Sequence, residues 1–145
     1  MSKAEKIIVL VLEPGKEPYV KSIDNTLLSL QKEVGGYIQA VYPYEDPVAI
    51  ICNEEGKING LPLNRALRDD EGTIYDIIAG TFLITGLTED SFGSLDNKLA
   101  EKYSEKFKTP EVFARFNGRI IAVPMAEKTD KEMFSYDIKP KMPER

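Results

Sequence analysis

KIIVLVLEPGKEPYVKSID, from Lys6 to Asp24, indicates the first two elements of the fold. Its first half is an apolar run rich in β-branched residues, which is typical of a buried strand. Its second half alternates polar and apolar side chains, as a half-buried strand does. Pro14-Gly15 lies between the halves and favours a turn. The stretch therefore predicts a β-hairpin.

Helical and strand-like patterns alternate after the hairpin. Apolar residues recur at helical spacing over Leu27–Val34, and Gly35-Gly36 ends this helix. Ser94 can cap a second helix, whose apolar stripe continues to Phe107 and faces the core. Pro62 suits the first turn of a short third helix. Further strands are predicted over residues 37–44, 48–53, 74–86 and 118–125.

The order of these elements, β-β-α-β-β-(α)-β-α-β, predicts an α+β fold. We expect a single domain over residues 1–125, with a mostly antiparallel mixed sheet, two main helices and one short helix. Residues 126–145 are charged with scattered prolines, which predicts an extended or disordered tail. The exposed sheet edges of such a fold often pair, so a homo-oligomer is a further expectation.

Composition excludes several functional classes. The chain contains no histidine, which excludes Ser-His and Cys-His nucleophilic pairs and imidazole metal ligands within one chain. The net charge of −5 gives no general attraction to nucleic acid. The densest lysine run, Lys98–Lys108, also contains glutamates and is interpreted as a solvated helix face. No glycine-rich phosphate loop, CxxC or HExxH motif occurs, so we expect no cofactor and favour binding over catalysis.

The predicted location is the cytoplasm. No apolar run approaches the roughly 20 residues that a membrane span needs, so no membrane partner is expected. No secretory or transit segment is evident. The single cysteine, Cys52, cannot form an internal disulfide, which indicates a reducing compartment. Its apolar strand predicts a buried small hydrophobe.

GLPLNRALRDDEGTIYDIIAG, from Gly60 to Gly80, carries many polar residues between two apolar runs and is the candidate site. The planar fork of Arg65 suits a carboxylate or phosphate if it faces a pocket. The alternative is a surface arginine paired with Asp69 one helical turn away. Asp76 interrupts an apolar strand, so it is exposed, functional or paired, with Arg65 as the obvious partner.

Glycine and tyrosine residues complete the candidate site. Gly80 allows a close backbone approach or a bulge, and Thr81 can offer a hydroxyl beside it. Tyrosines cluster over residues 37–44 and could stack a nucleobase, although they are more often half-buried sheet residues. The predicted ligand-binding residues are Tyr37, Asn64, Arg65, Asp76, Gly80 and Thr81. No catalytic or metal-ligating residue is assigned.

Three ordered motifs resemble one family. They are EPGKEPYVKSIDNTLLSLQKEVGGYIQAV, then NEEGKINGLPLNRAL, then the D-x-I-x-G of Asp76–Gly80. This succession, over about Ile7 to Phe107, is similar to the domain of unknown function 3846 family of Gram-positive bacteria, their plasmids and phages. The family pattern marks Asn64, Ala66, Asp76, Gly80 and Thr81. The resemblance implies a small cytosolic protein of mobile elements and implies no activity.

Three functional hypotheses remain open. The first is a non-catalytic protein that binds a small anionic, nucleotide-derived molecule and sequesters an immune signal. The alternative is an acidic protein that inhibits a host defence or restriction enzyme. The second alternative is a metal-assisted hydrolase that uses Asp69, Asp70 and Asp76, although consecutive carboxylates diverge in direction and favour a solvated turn.

Overall fold

The structure is a computed structural model that describes residues 5–125 of the 145-residue chain. In that range the chain forms ten β-strands and two α-helices, and the strand pairings are antiparallel. The α+β class, the antiparallel pairing and the two main helices are therefore confirmed. The strands are β1 (Lys6–Leu12), β2 (Tyr19–Asp24), β3 (Ile38–Val41), β4 (Val48–Asn53), β5 (Leu63–Arg68), β6 (Ile74–Ala79), β7 (Phe82–Leu87), β8 (Phe92–Gly93), β9 (Glu111–Phe116) and β10 (Arg119–Pro124). The helices are α1 (Leu27–Val34) and α2 (Asn97–Lys106).

A six-stranded sheet forms the centre, in the order β2-β1-β7-β4-β3, with β8 beside β7. The predicted hairpin is confirmed, because β1 pairs with β2 from Lys6 opposite Asp24 to Val11 opposite Tyr19. Side chains of a strand alternate between two faces, so Val9 and Leu10 are both fully buried but in different cores. The central sheet is therefore covered on both sides.

Each face of the central sheet carries one helix. Leu30 and Val34 of α1 pack in one core with side chains of β1, β4 and β7. Tyr103 of α2 and Phe107, which ends that helix, pack in the other core. The predicted core-facing stripe of the second helix is confirmed. The residue that caps α2 is Asp96 and not the predicted Ser94, whose hydroxyl instead accepts the N–H of Ile8.

The short helix predicted after Pro62 is wrong, because Leu63–Arg68 is β5 and pairs with β6. The register shifts between Leu63 and Arg65, which leaves Asn64 as the extra residue of a β-bulge. A bulge changes which residues face inward, so the same apolar spacing fits a helical turn or a bulged strand. Pairing with β6 and the burial of four consecutive residues outweigh a weak helical preference.

The single sheet predicted from the sequence is corrected to three. The strand predicted over residues 74–86 is two strands, β6 and β7, which belong to different sheets. Gly80 separates them at φ +83°, where a Cβ would lie 2.7 Å from Cδ1 of Leu61. β9 and β10 form the third sheet, a hairpin around Asn117-Gly118, where both residues have positive φ.

Two predictions about the whole chain are not tested by the structure. The predicted tail, residues 126–145, lies outside the described residues. The single domain over residues 1–125 stays a prediction. Neither helix in the described part of the chain has the length and apolar character to cross a membrane.

Candidate functional site

Asn64 lies fully buried at the bulge of β5. Its amide Nδ2 donates to the carbonyl oxygen of Leu12 at 2.9 Å and to that of Gly80 at 2.8 Å. Leu12 ends β1, and Gly80 stands between β6 and β7. Buried carbonyls need a donor, and here one side chain supplies it to both. Asn64 therefore joins the β5–β6 sheet to the central sheet.

Arg65, the next residue, is also buried, with 1% of its surface exposed. Its Nε and Nη2 donate to the carbonyl oxygen of Phe107 at 3.1 and 2.9 Å. Nη2 also donates to the carbonyl of Lys16 at 2.8 Å, and Nη1 donates to Oδ1 of Asn64 at 2.8 Å. Because Phe107 ends α2, the guanidinium satisfies a carbonyl that has no partner in the helix.

The contacts of Arg65 are therefore with protein oxygens that carry no formal charge. Burial lowers the pKa of the guanidinium, and the negative charge of Glu111 acts in the opposite direction. Every nitrogen of the group donates to a protein oxygen. We name Asn64 and Arg65 the buried polar pair. Their contacts support a structural role, and the ligand-binding role expected for them stays a prediction.

Asp76 is exposed on β6 and lies in a different environment from the buried polar pair. Its Oδ1 accepts Nζ of Lys57 at 2.6 Å and the N–H of Ile77 at 2.8 Å. Neither ion pair considered for Arg65, with Asp69 or with Asp76, is formed. Asp76 and Lys57 line a separate cavity of about 250 Å³.

The other predicted site residues are spread over the central sheet. Gly80 contacts the buried polar pair through its carbonyl, and the half-buried Thr81 follows it. Tyr37 is 68% exposed and precedes β3, which is an edge strand of the central sheet. The structure thus brings Asn64, Arg65 and Gly80 together and separates Asp76 and Tyr37 from them. Their roles in ligand binding stay predictions.

The acidic run after β5 forms a turn. Oδ1 of Asp69 accepts the N–H groups of Glu71 and Thr73 at 2.9 Å each, and all three residues are exposed. Among residues 5–125, no group of three or more carboxylate or thiol side chains is arranged to hold a metal ion. Cys52 is buried as predicted, and burial raises the pKa of its thiol.

A cationic cavity of about 250 Å³ lies where β5, the end of α2 and the start of β9 meet. Arg65, Arg68 and Lys106 line it, and Glu111 is the carboxylate in its wall. Both oxygens of Glu111 are used, because Oε1 accepts the N–H of Ala66 and Oε2 accepts Nη2 of Arg68, each at 2.8 Å. We name this space the inner cavity. Its lining contains three cationic side chains and one carboxylate.

A wider groove of about 580 Å³ adjoins the inner cavity and shares Tyr44, Arg68 and Lys106 with it. Tyr75, 55% exposed, is the second aromatic residue of its wall. Nζ of Lys106 lies 5.4 Å from the centroid of the Tyr44 ring, within the range of a cation–π interaction. Burial raises the pKa of the Tyr44 hydroxyl, and Tyr75 acts in the same direction, so Tyr44 is neutral at physiological pH. We name this groove and the inner cavity together the open groove.

Of the residues that line the open groove, the sequence predicted only Arg65 as ligand-binding and did not select Tyr44, Arg68 or Lys106. Tyr44 belonged to the tyrosine-rich stretch 37–44, and Lys106 belonged to the lysine run that was interpreted as a solvated helix face. Arg68 ends β5 and directly precedes the acidic run that was interpreted as a solvated turn. Each residue carried a weak signal by itself. Their meeting depends on how α2 packs beside β5, which no local pattern encodes.

The family comparison covers most of the elements that build this site. The sequence model of a family described as Domain of unknown function (DUF3846) matches residues 6–108. This range includes α1, α2 and the strands from β1 to β8, and it ends before β9 and β10. No curated protein and no solved structure matches the chain.

Proposed function

The chain belongs to the DUF3846 family, and we propose that it is a non-catalytic protein that binds a small anionic molecule. The proposed site is the open groove, and a nucleotide-derived ligand is the class that suits it. The observation that carries the proposal is the lining of the inner cavity, where three cationic side chains face a single carboxylate. A bound anion would reduce the repulsion between these cations.

Two of the three cations have donors available for a ligand. Arg68 uses Nη2 for Glu111, and its other N–H groups make no hydrogen bond with residues 5–125. Lys106 is exposed, and within the same range Nζ forms no ion pair. A guanidinium binds phosphate or carboxylate through parallel N–H groups, and a lysine adds a point charge. Arg65 contributes positive potential but has no nitrogen free of protein contacts.

The wider part of the open groove supports a nucleotide over a bare anion. Tyr44 and Tyr75 offer aromatic surface, and stacking of a base on such a ring contributes about 1–3 kcal/mol. Asp69 and Asp70 also line this part, and their carboxylates can accept hydrogen bonds from sugar hydroxyls. A phosphate in the inner cavity would leave the sugar and base within this groove.

Binding without turnover suits a protein that sequesters its ligand. The absence of histidine removes the usual general base and nucleophile activator. Asp69, Asp70 and Asp76 do not form a carboxylate cluster in the described residues, so the geometry gives no support to a metal-assisted hydrolase. The family resemblance implies a protein of mobile elements, and for such a protein the role that follows from this binding is sequestration of a nucleotide signal of host defence.

Isothermal titration calorimetry of the full chain tests the proposal. The ligands are cyclic dinucleotides, ADP-ribose, nucleoside triphosphates and, as a bare anion, pyrophosphate. We expect at least one nucleotide to bind more tightly than pyrophosphate. Arg68→Ala and Lys106→Ala should each weaken that binding about tenfold or more, as the loss of a charged hydrogen bond does. Lys98→Ala is the matched control, because it removes the same charge from the exposed start of α2.

Two results would contradict the proposal. The first is that no nucleotide of the panel binds the wild-type chain. The second is binding that is unchanged in both Arg68→Ala and Lys106→Ala, since the ligand would then lie elsewhere. Chromatography of the ligand after prolonged incubation checks the non-catalytic part, and a converted ligand would refute it.

A further inference from the structure

The β9–β10 hairpin has an apolar face whose larger side chains are exposed in the described part of the chain. In an antiparallel pair, directly opposite residues share a face, so Val112, Phe116 and Ile121 lie on the same side. They are 41%, 54% and 40% exposed. Arg119, opposite Phe116, brings a positive charge to this side. We name these four residues the hairpin face.

Charge distinguishes this hairpin from the rest of the chain. β9 and β10 contain Arg115, Arg119 and one carboxylate, that of Glu111, which pairs with Arg68, whereas the whole chain has a net charge of −5. β10 pairs only with β9 among the described strands, so its other edge is open. The hairpin is therefore an apolar, cationic segment with a free edge, and it follows the last residue of the family match.

An acidic groove of about 700 Å³ runs between α2 and the edge strand β2. Its helical wall includes Glu101 and Glu105 of α2, and Lys108 lines the groove just beyond the end of that helix. Glu17 adds a third carboxylate from the start of the β2 side. Within residues 5–125, none of the three carboxylates takes part in an ion pair. Lys108 is the cation of the lining.

Apart from Glu17, the wall opposite α2 is apolar, and it ends in an open strand edge. Val20 of β2 is 56% exposed there, although it pairs with the fully buried Leu10 and so lies on the face of the sheet that α2 covers. Pro18 and Ala100 also line the groove. β2 pairs with β1 on one side only, so its other edge can accept a further strand.

We propose that the hairpin face of one molecule docks into the acidic groove of a second copy of this chain. The charges are complementary, because Arg119 on the hairpin face meets a groove lined by three carboxylates and one lysine. The lengths are also similar. Six residue pairs give a hairpin of about 20 Å, and the ten residues of α2 give its wall of the groove a length of about 15 Å. Phe116 and Ile121 would cover Val20, and Arg119 would lie against Glu101 or Glu105.

The two docking surfaces are different parts of the molecule, so the contact is head-to-tail. Such a contact leaves a free hairpin face and a free acidic groove at the ends of a dimer, and it extends to a ring or a chain. The assembly is therefore expected to grow with protein concentration. It does not use the open groove, so its failure would leave the proposed ligand binding untouched.

Sedimentation velocity of the full chain over a concentration series tests the docking. The wild-type chain should sediment as species larger than a monomer, with the fraction rising with concentration. Arg119→Glu should reduce this association at least tenfold because it reverses the charge on the hairpin face. Arg115→Glu is the matched control, since Arg115 pairs with Ile120 on the opposite side of the hairpin and should retain association.

Variants of the acidic groove and a mixture of two variants complete the test. Glu101→Lys combined with Glu105→Lys should also abolish association, whereas Glu71→Lys, in the exposed turn, should not. Mixing the Arg119→Glu chain with the double groove variant should restore complexes, because each retains the surface that the other has lost. Far-UV circular dichroism checks that the variants fold. A wild-type chain that is monomeric at all concentrations would overturn the proposal. The partner of the acidic groove would then be a basic segment of another protein. Association that survives the double groove variant would overturn it as well.

Discussion

Arg65 and Arg68 belong to the same strand, β5, but they occupy opposite environments. Arg65 is 1% exposed and donates to carbonyl oxygens of Lys16 and Phe107 and to the side chain of Asn64. Arg68 is exposed at the end of the strand and pairs with Glu111. The difference lies in what remains free on each guanidinium. Arg65 has protein partners for every nitrogen, and Arg68 keeps donors for a ligand.

This comparison separates structure from function at the site. The buried polar pair joins four segments: the end of β1, the turn before β2, Gly80 between β6 and β7, and the end of α2. A buried charge without a carboxylate partner is costly unless its hydrogen bonds are complete, as they are here. The open groove lies beside this rigid arrangement, so Arg68 and Lys106 are held on elements that the buried polar pair fixes. Substitution of Asn64 or Arg65 should therefore lower the stability of the fold, whereas substitution of Arg68 should lower ligand affinity.

The largest expected effect is that of Arg65→Met. Methionine has a similar length but no donors, so the buried carbonyl of Phe107 and the part-buried carbonyl of Lys16 would lose their donor. Each unsatisfied buried acceptor costs about 1–3 kcal/mol, so we expect a loss of about 3–5 kcal/mol in the free energy of unfolding. Urea denaturation measures it. Arg68→Met is the matched control and should change stability by less than about 1 kcal/mol. Equal losses for the two variants would contradict the comparison.

Asn64→Ala should have the second-largest effect. It removes the amide that donates to Leu12 and Gly80 and leaves two buried carbonyls unpaired. It also removes an acceptor of Arg65. We expect a loss of about 2–4 kcal/mol in urea denaturation. Asn59→Ala, at an exposed position in the preceding turn, is the control. An Asn64→Ala chain with wild-type stability would show that Asn64 is free for a ligand.

The sequence predicted the parts of the fold that depend on neighbours along the chain. The hairpin from Lys6 to Asp24 was predicted because alternation and turn are both local. The stripe of α2 was predicted because one helix face repeats. β5 was not predicted, because its apolar spacing also suits a helix. Asn64 and Arg65 are both buried because they donate to carbonyls of segments that are distant in the sequence.

The candidate site was predicted less well for the same reason. Asn64, Arg65 and Gly80 do lie together, as the polar stretch suggested. Asp76, however, finds its partner in Lys57, which precedes the stretch. The open groove combines Tyr44, Arg68 and Lys106 from three separate segments. Charge and aromatic content mark such residues, but only the packing of α2 against the sheets brings them to one place.

Arg68→Ala tests the open end of β5, and its effect on stability should be small. The ion pair with Glu111 is partly exposed on the arginine side, at 37% of the side chain, so its removal should cost about 0.5–1 kcal/mol. Ligand affinity should nevertheless fall about tenfold or more. Arg68→Ala should thus lower the affinity from calorimetry more than the stability from urea denaturation. Asn64→Ala should mainly lower the stability. A large loss of stability would place Arg68 with the structural residues.

The smallest effect is expected at Asp46, which contacts two residues of α2. Its Oδ2 accepts Nζ of Lys102 at 2.6 Å and the hydroxyl of Tyr103 at 2.7 Å. The hydrogen bonds from Lys102 and then from Tyr103 lower the pKa of the Asp46 carboxyl. Because the folded state has the lower pKa, the stabilisation is complete above the pKa of the unfolded chain. It is lost as the pH falls through the folded value.

Asp46→Asn keeps the shape and one accepting oxygen but removes the charge. We therefore expect it to be slightly less stable than the wild-type chain at pH 7 and equal to it once the pH is below the lowered pKa of Asp46. Urea denaturation at pH 7, 5, 4 and 3 follows this convergence. Asp90→Asn, at an exposed position without an ion pair in residues 5–125, is the control. A stability difference between Asp46→Asn and wild type that stays constant down to pH 3 would show that the contact acts through shape and not through charge. The position of α2 beside the open groove would then depend on packing alone.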